Sequence, residues 1–380
     1  MRSKLPHVGT TIFSTMSALA AEHQALNMGQ GFPGFAMDQS LIDRVHHYMS
    51  AGYNQYSPMA GVPALRDRVS QIIQAQHGHC YDPATEITIT AGATQAIFTA
   101  ISALVHEDDE VILFAPAYDC YAPAIELQGA KCVWMNLHWP DYQIEWDHFK
   151  KLINHKTRMV IINSPHNPSG RMMSHHDMEQ LTHLLDGSDI VLLSDEVYEH
   201  LVFDDQTHCS ASRYPGLRDR SLIVGSFGKT LHCTGWKTGY IAGPEKLMTE
   251  FRKVHQYNVF VANTPIQYAI ADHLEDPNTY LGLSAFYQAK RDRFCDGLLD
   301  SAWNLMDCQG TYFQNLQYTK LSSTGDTEFA QHLTIAHKIT AIPCSVFYPD
   351  HCDEQVLRFC FAKTDADIDK AIQLLNAIQP

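Results

Sequence analysis

From about residue 85 the chain alternates short apolar runs with longer stretches whose apolar residues recur at three and four positions. The short runs are rich in Ile, Val and Leu and are bounded by Gly, Pro, Asn or Ser, so they read as strands buried on both faces. They cover residues 86–90, 110–114, 131–135, 158–162, 190–194, 221–225 and 240–243. Helical spacing fits between most of them, as at 93–104 and 174–185. Little chain separates the last two strands from what precedes them, so one antiparallel member is expected. Beyond residue 243 the pattern predicts helices over 244–257, 265–274 and 278–301. A strand over 311–316, a helix over 326–337, a strand over 357–361 and a closing helix from Asp365 follow.

Alternating strands and helices define the α/β class: a mainly parallel seven-stranded sheet flanked by helices, with a smaller α+β domain after it. At 380 residues the chain is long enough for two cores. The division expected is an N-terminal segment, 1–40, that joins the small domain, a large domain over 41–275, and the small domain over 276–380. No Pro/Gly/Ser linker, repeat or low-complexity stretch marks a boundary.

Composition narrows the function. With 45% hydrophobic and 18% charged residues the chain is globular. The run from Ala96 to Val105 is too short for a membrane span and is interrupted by Thr99 and Ser102. The start, MRSKLPHVGTTIFS, has no apolar core before a small-residue cleavage site, and a cytoplasmic protein is expected. Ten cysteines without a CxxC pair read as reduced thiols. The 22 histidines include no HExxH, and the doublets His46-His47 and His175-His176 point their side chains apart on a helix, so no metal is expected. A formal charge of −15 argues against a nucleic-acid partner but leaves room for a small anion held by a few local cations.

In an open α/β sheet, ligands bind beyond the carboxyl ends of the strands. Here the first strand runs into Ala91-Gly92-Ala93-Thr94 and a helix, and the second into Ala115-Pro116-Ala117-Tyr118. The run at 158–162 leads to Asn163-Ser164-Pro165-His166-Asn167-Pro168-Ser169-Gly170, and the next to Ser194-Asp195-Glu196-Val197-Tyr198. The run at 221–225 ends in Ser226-Phe227-Gly228-Lys229-Thr230. Each has an ordinary use: Asp195 as a helix cap, Tyr118 as core, Asn167-Pro168 as a turn. Together they bring a helix N-terminus, a ring, an amide, a carboxylate with a phenol, and an amine to one sheet edge, which is a binding site. Gly228-Lys229-Thr230 is not the end of a P-loop, because that loop needs glycine where Ile223 stands. No GxGxxG follows the first strand, so a nicotinamide enzyme is not supported.

These motifs, with Gly235-Trp236-Lys237-Thr238-Gly239 and Leu357-Arg358-Phe359 further on, resemble the aspartate-aminotransferase-like pyridoxal-phosphate enzymes of fold type I, over nearly the whole chain. Gly29-Gln30-Gly31-Phe32-Pro33, Asn54-Gln55-Tyr56 and Val254-His255-Gln256-Tyr257 resemble the methionine and kynurenine/glutamine aminotransferases within that group. The resemblance implies that Lys229 links covalently to pyridoxal 5′-phosphate and, once freed, moves the substrate's α-proton. It implies that Asp195 pairs with the pyridine nitrogen, that Tyr198 and Asn167 bond the phenolic oxygen, and that Tyr118 stacks on the ring. The phosphate would take peptide N–H groups near Gly92, Ala93 and Thr94, with Ser226 and Lys237 completing its shell. The wider family often has Arg at this position; Lys237 keeps the charge but gives up the bidentate fork. Tyr56 would reach the phosphate of a second subunit, which implies a homodimer. Arg358 would hold the substrate carboxylate, with Asn167 beside it and Gly31 allowing close approach.

Ile12, Phe13 and Phe260 are expected as apolar walls of the side-chain pocket, with an ordinary core role as the alternative. No Arg stands out as partner for a second substrate carboxylate, so methionine or an aromatic amino acid is the expected donor and a 2-oxo acid the acceptor. The same constellation serves carbon–sulfur lyases, so a cysteine-S-conjugate or cystathionine β-lyase is the competing reading. A non-catalytic cofactor-binding regulator would carry a DNA-binding domain, for which no residues are left.

Overall fold

A computed structural model describes residues 2–379; Met1 and Pro380, the outermost residues of the expected N-terminal segment and small domain, lie outside it. A seven-stranded sheet is built from β1 (Ile87–Thr90), β2 (Glu110–Ala115), β3 (Lys131–Asn136), β4 (Thr157–Asn163), β5 (Val191–Asp195), β6 (Ser221–Ser226) and β7 (Gly239–Ala242). Their spatial order is β1-β7-β6-β5-β4-β2-β3. Strand β7 is the antiparallel member, paired with β1 on one side and β6 on the other, while the remaining strands run parallel. The carboxyl ends of β1, β2, β4, β5 and β6 therefore share one edge. Strands β1 and β5 are buried at every position, as a sheet covered by helices on both faces requires. Each buried Val, Leu or Ile contributes about 1.5–3 kcal/mol of transfer free energy.

The helix Ala93–Leu104 packs Ala96, Ile97, Ala100, Ile101 and Leu104 into the core and ends where Val105 turns extended. The helix His175–Leu185 starts at a reciprocal cap between Ser174 and Asp177, the Ser-x-x-Asp pattern visible in the sequence. The single helix expected over 278–301 is instead two, Asn278–Leu281 and Leu283–Asp296, separated at Gly282, a weak helix former. The second stops early because the chain passes close to the closing helix Asp365–Asn376: a Cβ on Gly297 would stand 2.6 Å from Ile372.

A second sheet orders Ile342–Pro343, Val356–Cys360, Phe313–Gln317 and Asn304–Leu305. Beside it, Leu26–Asn27 pairs in parallel with Ile339–Thr340, and the Gly34 peptide N–H donates to Ala362 O at 2.8 Å. These pairings carry the N-terminal segment across the second sheet to the edge of the first, bringing Gly29, Gln30 and Gly31 over the strand ends. No helix of the described residues is long and apolar enough to cross a membrane.

Candidate active site

Register at the sheet edge sets the floor of the site. Asn163, the last residue of β4, lies beside Asp195, the last of β5, and Ser226, the last of β6, beside Gly239. A cavity of about 230 Å³ opens above them, lined by Gly92, Ala93, Thr94, Tyr118, Asn167, Asp195, Tyr198, Ser226, Lys229, Lys237, Arg358, Gly31 and Phe13, all expected from the sequence. Residues more than 300 positions apart meet there because both ends of the chain fold back over the strand ends.

Lys229 lies in the turn of helix Phe227–Thr230 that continues β6. Its Nζ donates to Tyr312 Oη at 2.7 Å and to Gly31 O at 3.4 Å. Burial pushes its pKa down to about 8. Asp195 is buried and accepts a 2.6 Å hydrogen bond from the Tyr121 hydroxyl. Burial pushes its carboxyl up to about 6, against the opposing effect of Tyr121 and the Val197 peptide N–H. The charge of Lys229 lowers it only from a distance, and among the described residues no cation pairs with it directly. Asn163 braces this corner: its side-chain amide donates to Asp195 O at 2.9 Å, and its oxygen accepts from the Asn167 peptide N–H at 2.7 Å.

Arg358 comes from the second sheet and is 1% exposed. One terminal nitrogen donates to Asn167 Oδ1 at 2.7 Å, the other to Gly29 O at 3.3 Å, and Nε finds no partner among the described residues. Its guanidinium lies 3.9 Å from the Phe313 ring centre, with Phe13 at 5.2 Å and Phe347 at 5.3 Å. An aromatic sleeve thus surrounds a cation with a donor to spare, a setting for a carboxylate on an otherwise apolar molecule. At the other end, Gly92 has φ +84° and opens the Ala93–Leu104 helix without a capping side chain, so the first-turn N–H groups stay free. A Cβ on Gly92 would stand 3.4 Å from Lys237 Cε, so the loop and the lysine fit closely around this terminus. The Tyr118 hydroxyl is 3.5 Å from Thr94 Oγ1. Free helix N–H groups, Ser226 and Lys237 at one end, a carboxylate and an amine in the middle and Arg358 beyond suit a flat ring with an anionic tail.

Two expected wall residues stand elsewhere. Ile12 is not on the cavity, and Phe260 is 40% exposed on a left-handed backbone of φ +68°. The chain turns outward there after helix Glu245–Asn258, with the Phe260 peptide N–H held by His255 O. Phe260 packs edge-on against Tyr56 at 5.3 Å; Tyr56 is 81% exposed and also lies off the cavity of its own chain. Sequence reading missed Tyr121, Asn163, Tyr312 and Phe313. Tyr121 lay three residues beyond Tyr118, and Asn163 opened the Asn167 motif, so local spacing held a signal for both. Tyr312 and Phe313 carry none, because they reach Lys229 and Arg358 only through tertiary packing. Among the described residues, His138, Cys352 and Glu354 have ligand-type atoms within 4.8 Å of one another. They are not on the cavity, and Glu354 is already engaged by the Trp139 peptide N–H at 3.0 Å.

Fold and site together define an α/β enzyme built around a buried lysine, and residues 23–375 match the family Aminotransferase class I and II, to which the chain belongs. It is 46% identical to the methionine aminotransferase of Escherichia coli (strain K12), over 99% of this chain and 98% of that protein. The crystal structure of YbdL from Escherichia coli, which identifies a methionine aminotransferase function, superposes with a TM-score of 0.97 over 99% of both chains at 46% identity. Kynurenine–oxoglutarate transaminase 1 of Homo sapiens is 31% identical over 92% of this chain and 91% of that protein. The N-succinyldiaminopimelate aminotransferase structure from Mycobacterium tuberculosis, 35% identical, gives a TM-score of 0.94 over the full length of both.

Proposed function

We propose that the protein transfers the amino group of methionine, or of another large uncharged or aromatic amino acid, to a 2-oxo acid, with pyridoxal 5′-phosphate bound through Lys229. One observation carries the reading: a buried amine, a buried carboxylate without a cation and a buried Arg358 with a spare donor line a single cavity. The donor set fits the cofactor. Asp195 would face the pyridine nitrogen, and the positive charge there would meet the carboxylate's missing partner. Peptide N–H groups at Ala93 and Thr94, with Ser226 and Lys237, would take the phosphate; Tyr118 would stack, and Tyr198 with Asn167 would bond the phenolic oxygen. Bound there, the cofactor supplies an electron sink for the bond to the α-hydrogen. Arg358 orients the substrate through its carboxylate, and Lys229 moves the proton at the α-carbon.

Methionine is supported by the 46% identical relative and by the Phe13, Phe313 and Phe347 rings around Arg358. The cations lining the cavity are Lys229, Lys237 and Arg358, which leaves none for a second substrate carboxylate. Half-reaction kinetics with methionine, phenylalanine, kynurenine and aspartate test the donor class, and full turnover with an added 2-oxo acid, scoring new amino acid separately from ammonia, tests the reaction. Methionine is expected to exceed aspartate by at least about tenfold in kcat/KM, a difference of ~1.4 kcal/mol. Aspartate ahead of methionine would overturn the donor class, and ammonia with pyruvate as the main products from sulfur amino acids would favour the carbon–sulfur lyase. We also read segment 1–40 as part of the body formed by 276–380, on the strength of the Leu26–Asn27 pairing. Ten unpaired thiols favour a reducing cytoplasmic setting.

The exposed rings of Tyr56, Phe260 and Tyr257 fit the homodimer the resemblance implies. In it Tyr56 would reach the partner's phosphate and Phe260 the partner's substrate pocket.

A further inference from the structure

Tyr312 entered neither the sequence reading nor the roles above, yet it makes the shortest contact to Lys229. Its hydroxyl donates to Gly31 O at 2.6 Å, and its oxygen accepts from Lys229 Nζ at 2.7 Å. Gly31 O also accepts from Nζ at 3.4 Å. The phenol proton is thus committed to Gly31, and the oxygen offers Nζ only lone pairs. Burial pushes this phenol well above its usual range, so it stays protonated.

A neutral amine has two N–H bonds and one lone pair, whereas an ammonium has three N–H bonds to satisfy. Nζ has two acceptors, and among the described residues no third one hydrogen-bonds it. Two acceptors match the neutral amine and leave its lone pair unengaged, on a side chain that lines the cavity. We propose that Tyr312 is a positioning residue: with Gly31 it binds both N–H groups of the freed Lys229 amine and leaves the lone pair available for the substrate's α-proton. The arrangement is rigid. The Tyr312 ring lies 5.1 Å from Tyr198, 4.8 Å from Phe313 and 5.9 Å from Tyr287. Gly31 comes close because it has no side chain: a Cβ there would stand 2.8 Å from Phe313 Cζ. The base is therefore oriented by two segments distant in sequence, one on either side of it.

The proposal rests on Lys229 being the amine that moves the proton, and the test separates the two. Tyr312→Phe keeps the ring and removes the hydroxyl. In apoprotein, labelling of Lys229 with fluorodinitrobenzene, followed by peptide mass spectrometry, gives the amine's titration midpoint without any turnover. The wild-type midpoint is expected near 8. An acceptor favours the charged form more than the neutral one, so the variant's midpoint should fall by about one unit. In the cofactor-loaded enzyme, kcat with methionine should fall about 10–100-fold at a KM within about twofold. The isotope effect on kcat from α-deuterated methionine should rise as proton transfer becomes limiting. Replacement of Tyr312 by a fluorinated tyrosine, a weaker acceptor of nearly the same size, should fall between and covers poor folding of the Phe variant. An unchanged labelling midpoint, or loss of kcat with no rise in the isotope effect, overturns the proposal. A wild-type enzyme whose Lys229→Ala form still exchanges the α-proton would instead overturn the role of Lys229, with the labelling result still deciding the Tyr312 contact.

Discussion

Asp195 shows at the residue scale how a local environment selects chemistry. A carboxylate this deeply buried resists ionisation, and Tyr121 supplies only a neutral hydrogen bond in compensation. A positively charged ring nitrogen would lower its free energy, and the carboxylate would in turn hold that charge in place. Asp195→Asn keeps a hydrogen-bonding group of the same shape and removes the charge. We expect α-proton loss from methionine to slow by ~10³-fold, about 4 kcal/mol, while cofactor affinity changes by less than about tenfold. Single-turnover absorbance and equilibrium cofactor titration separate the two effects; a near-normal single-turnover rate would remove Asp195 from this role. Arg358 illustrates the same logic with opposite charge: desolvation acts on a guanidinium whose Nε has no partner among the described residues.

At the scale of elements, the turn after β5 carries a second buried polar layer below Asp195. Glu196 takes the His208 ring at 2.8 Å, the Ser194 hydroxyl at 2.7 Å and the Ala211 peptide N–H at 3.0 Å. Glu199 takes the Tyr240 hydroxyl at 2.6 Å and the His77 ring at 3.2 Å, with His200 3.8 Å away. This layer fastens β5 to β7 and to helix Pro63–His77 beneath the catalytic edge. Burial raises the Glu199 carboxyl, but His200 and the bonds from His77 and Tyr240 outweigh it and hold its pKa at about 2. The folded-state pKa is depressed, so its stabilisation is complete above the unfolded value near 4.5 and is lost as pH falls from there towards 2. The difference is on the order of 3 kcal/mol. Glu199→Gln keeps the shape but weakens the bonds from Tyr240 and His77, and because burial holds His200 neutral at pH 7 it leaves no stranded charge, so stability there should fall by about 1–3 kcal/mol. It should also flatten the decline in Tm between pH 5 and pH 3, with Glu196 supplying what slope is left. Calorimetry across that range checks both; an acid limb as steep as wild type would show that Glu199 is not a main source of acid sensitivity.

For the whole molecule, the exposed pair Tyr56 and Phe260 is the feature a single chain leaves unexplained, and a partner's cavity is its expected destination. Mixing Tyr56-deficient and Lys229→Ala chains should then restore about a quarter of wild-type activity, because half the dimers are hybrids and one site in each recovers both residues. No recovery despite demonstrated subunit exchange would place Tyr56 outside the partner's site. Much of this enzyme was readable along the chain. The buried strands announced themselves as apolar runs, and Gly92, Asn167, Asp195 and Lys229 each lie within five residues of the end of one, so strand order and a shared edge sufficed to gather them. The helix break at Gly282, the outward turn at Phe260 and the pairing of Lys229 with Tyr312 were not readable there. Sequence periodicity reports which face of an element is buried, a property of neighbours three or four positions apart. It does not report which distant segment lies against that face. Strand β6 and its turn thus determined by themselves that a lysine stands at the sheet edge. Only the packing of Gly31 and Tyr312 around it, from both ends of the chain, decided which way its amine is held.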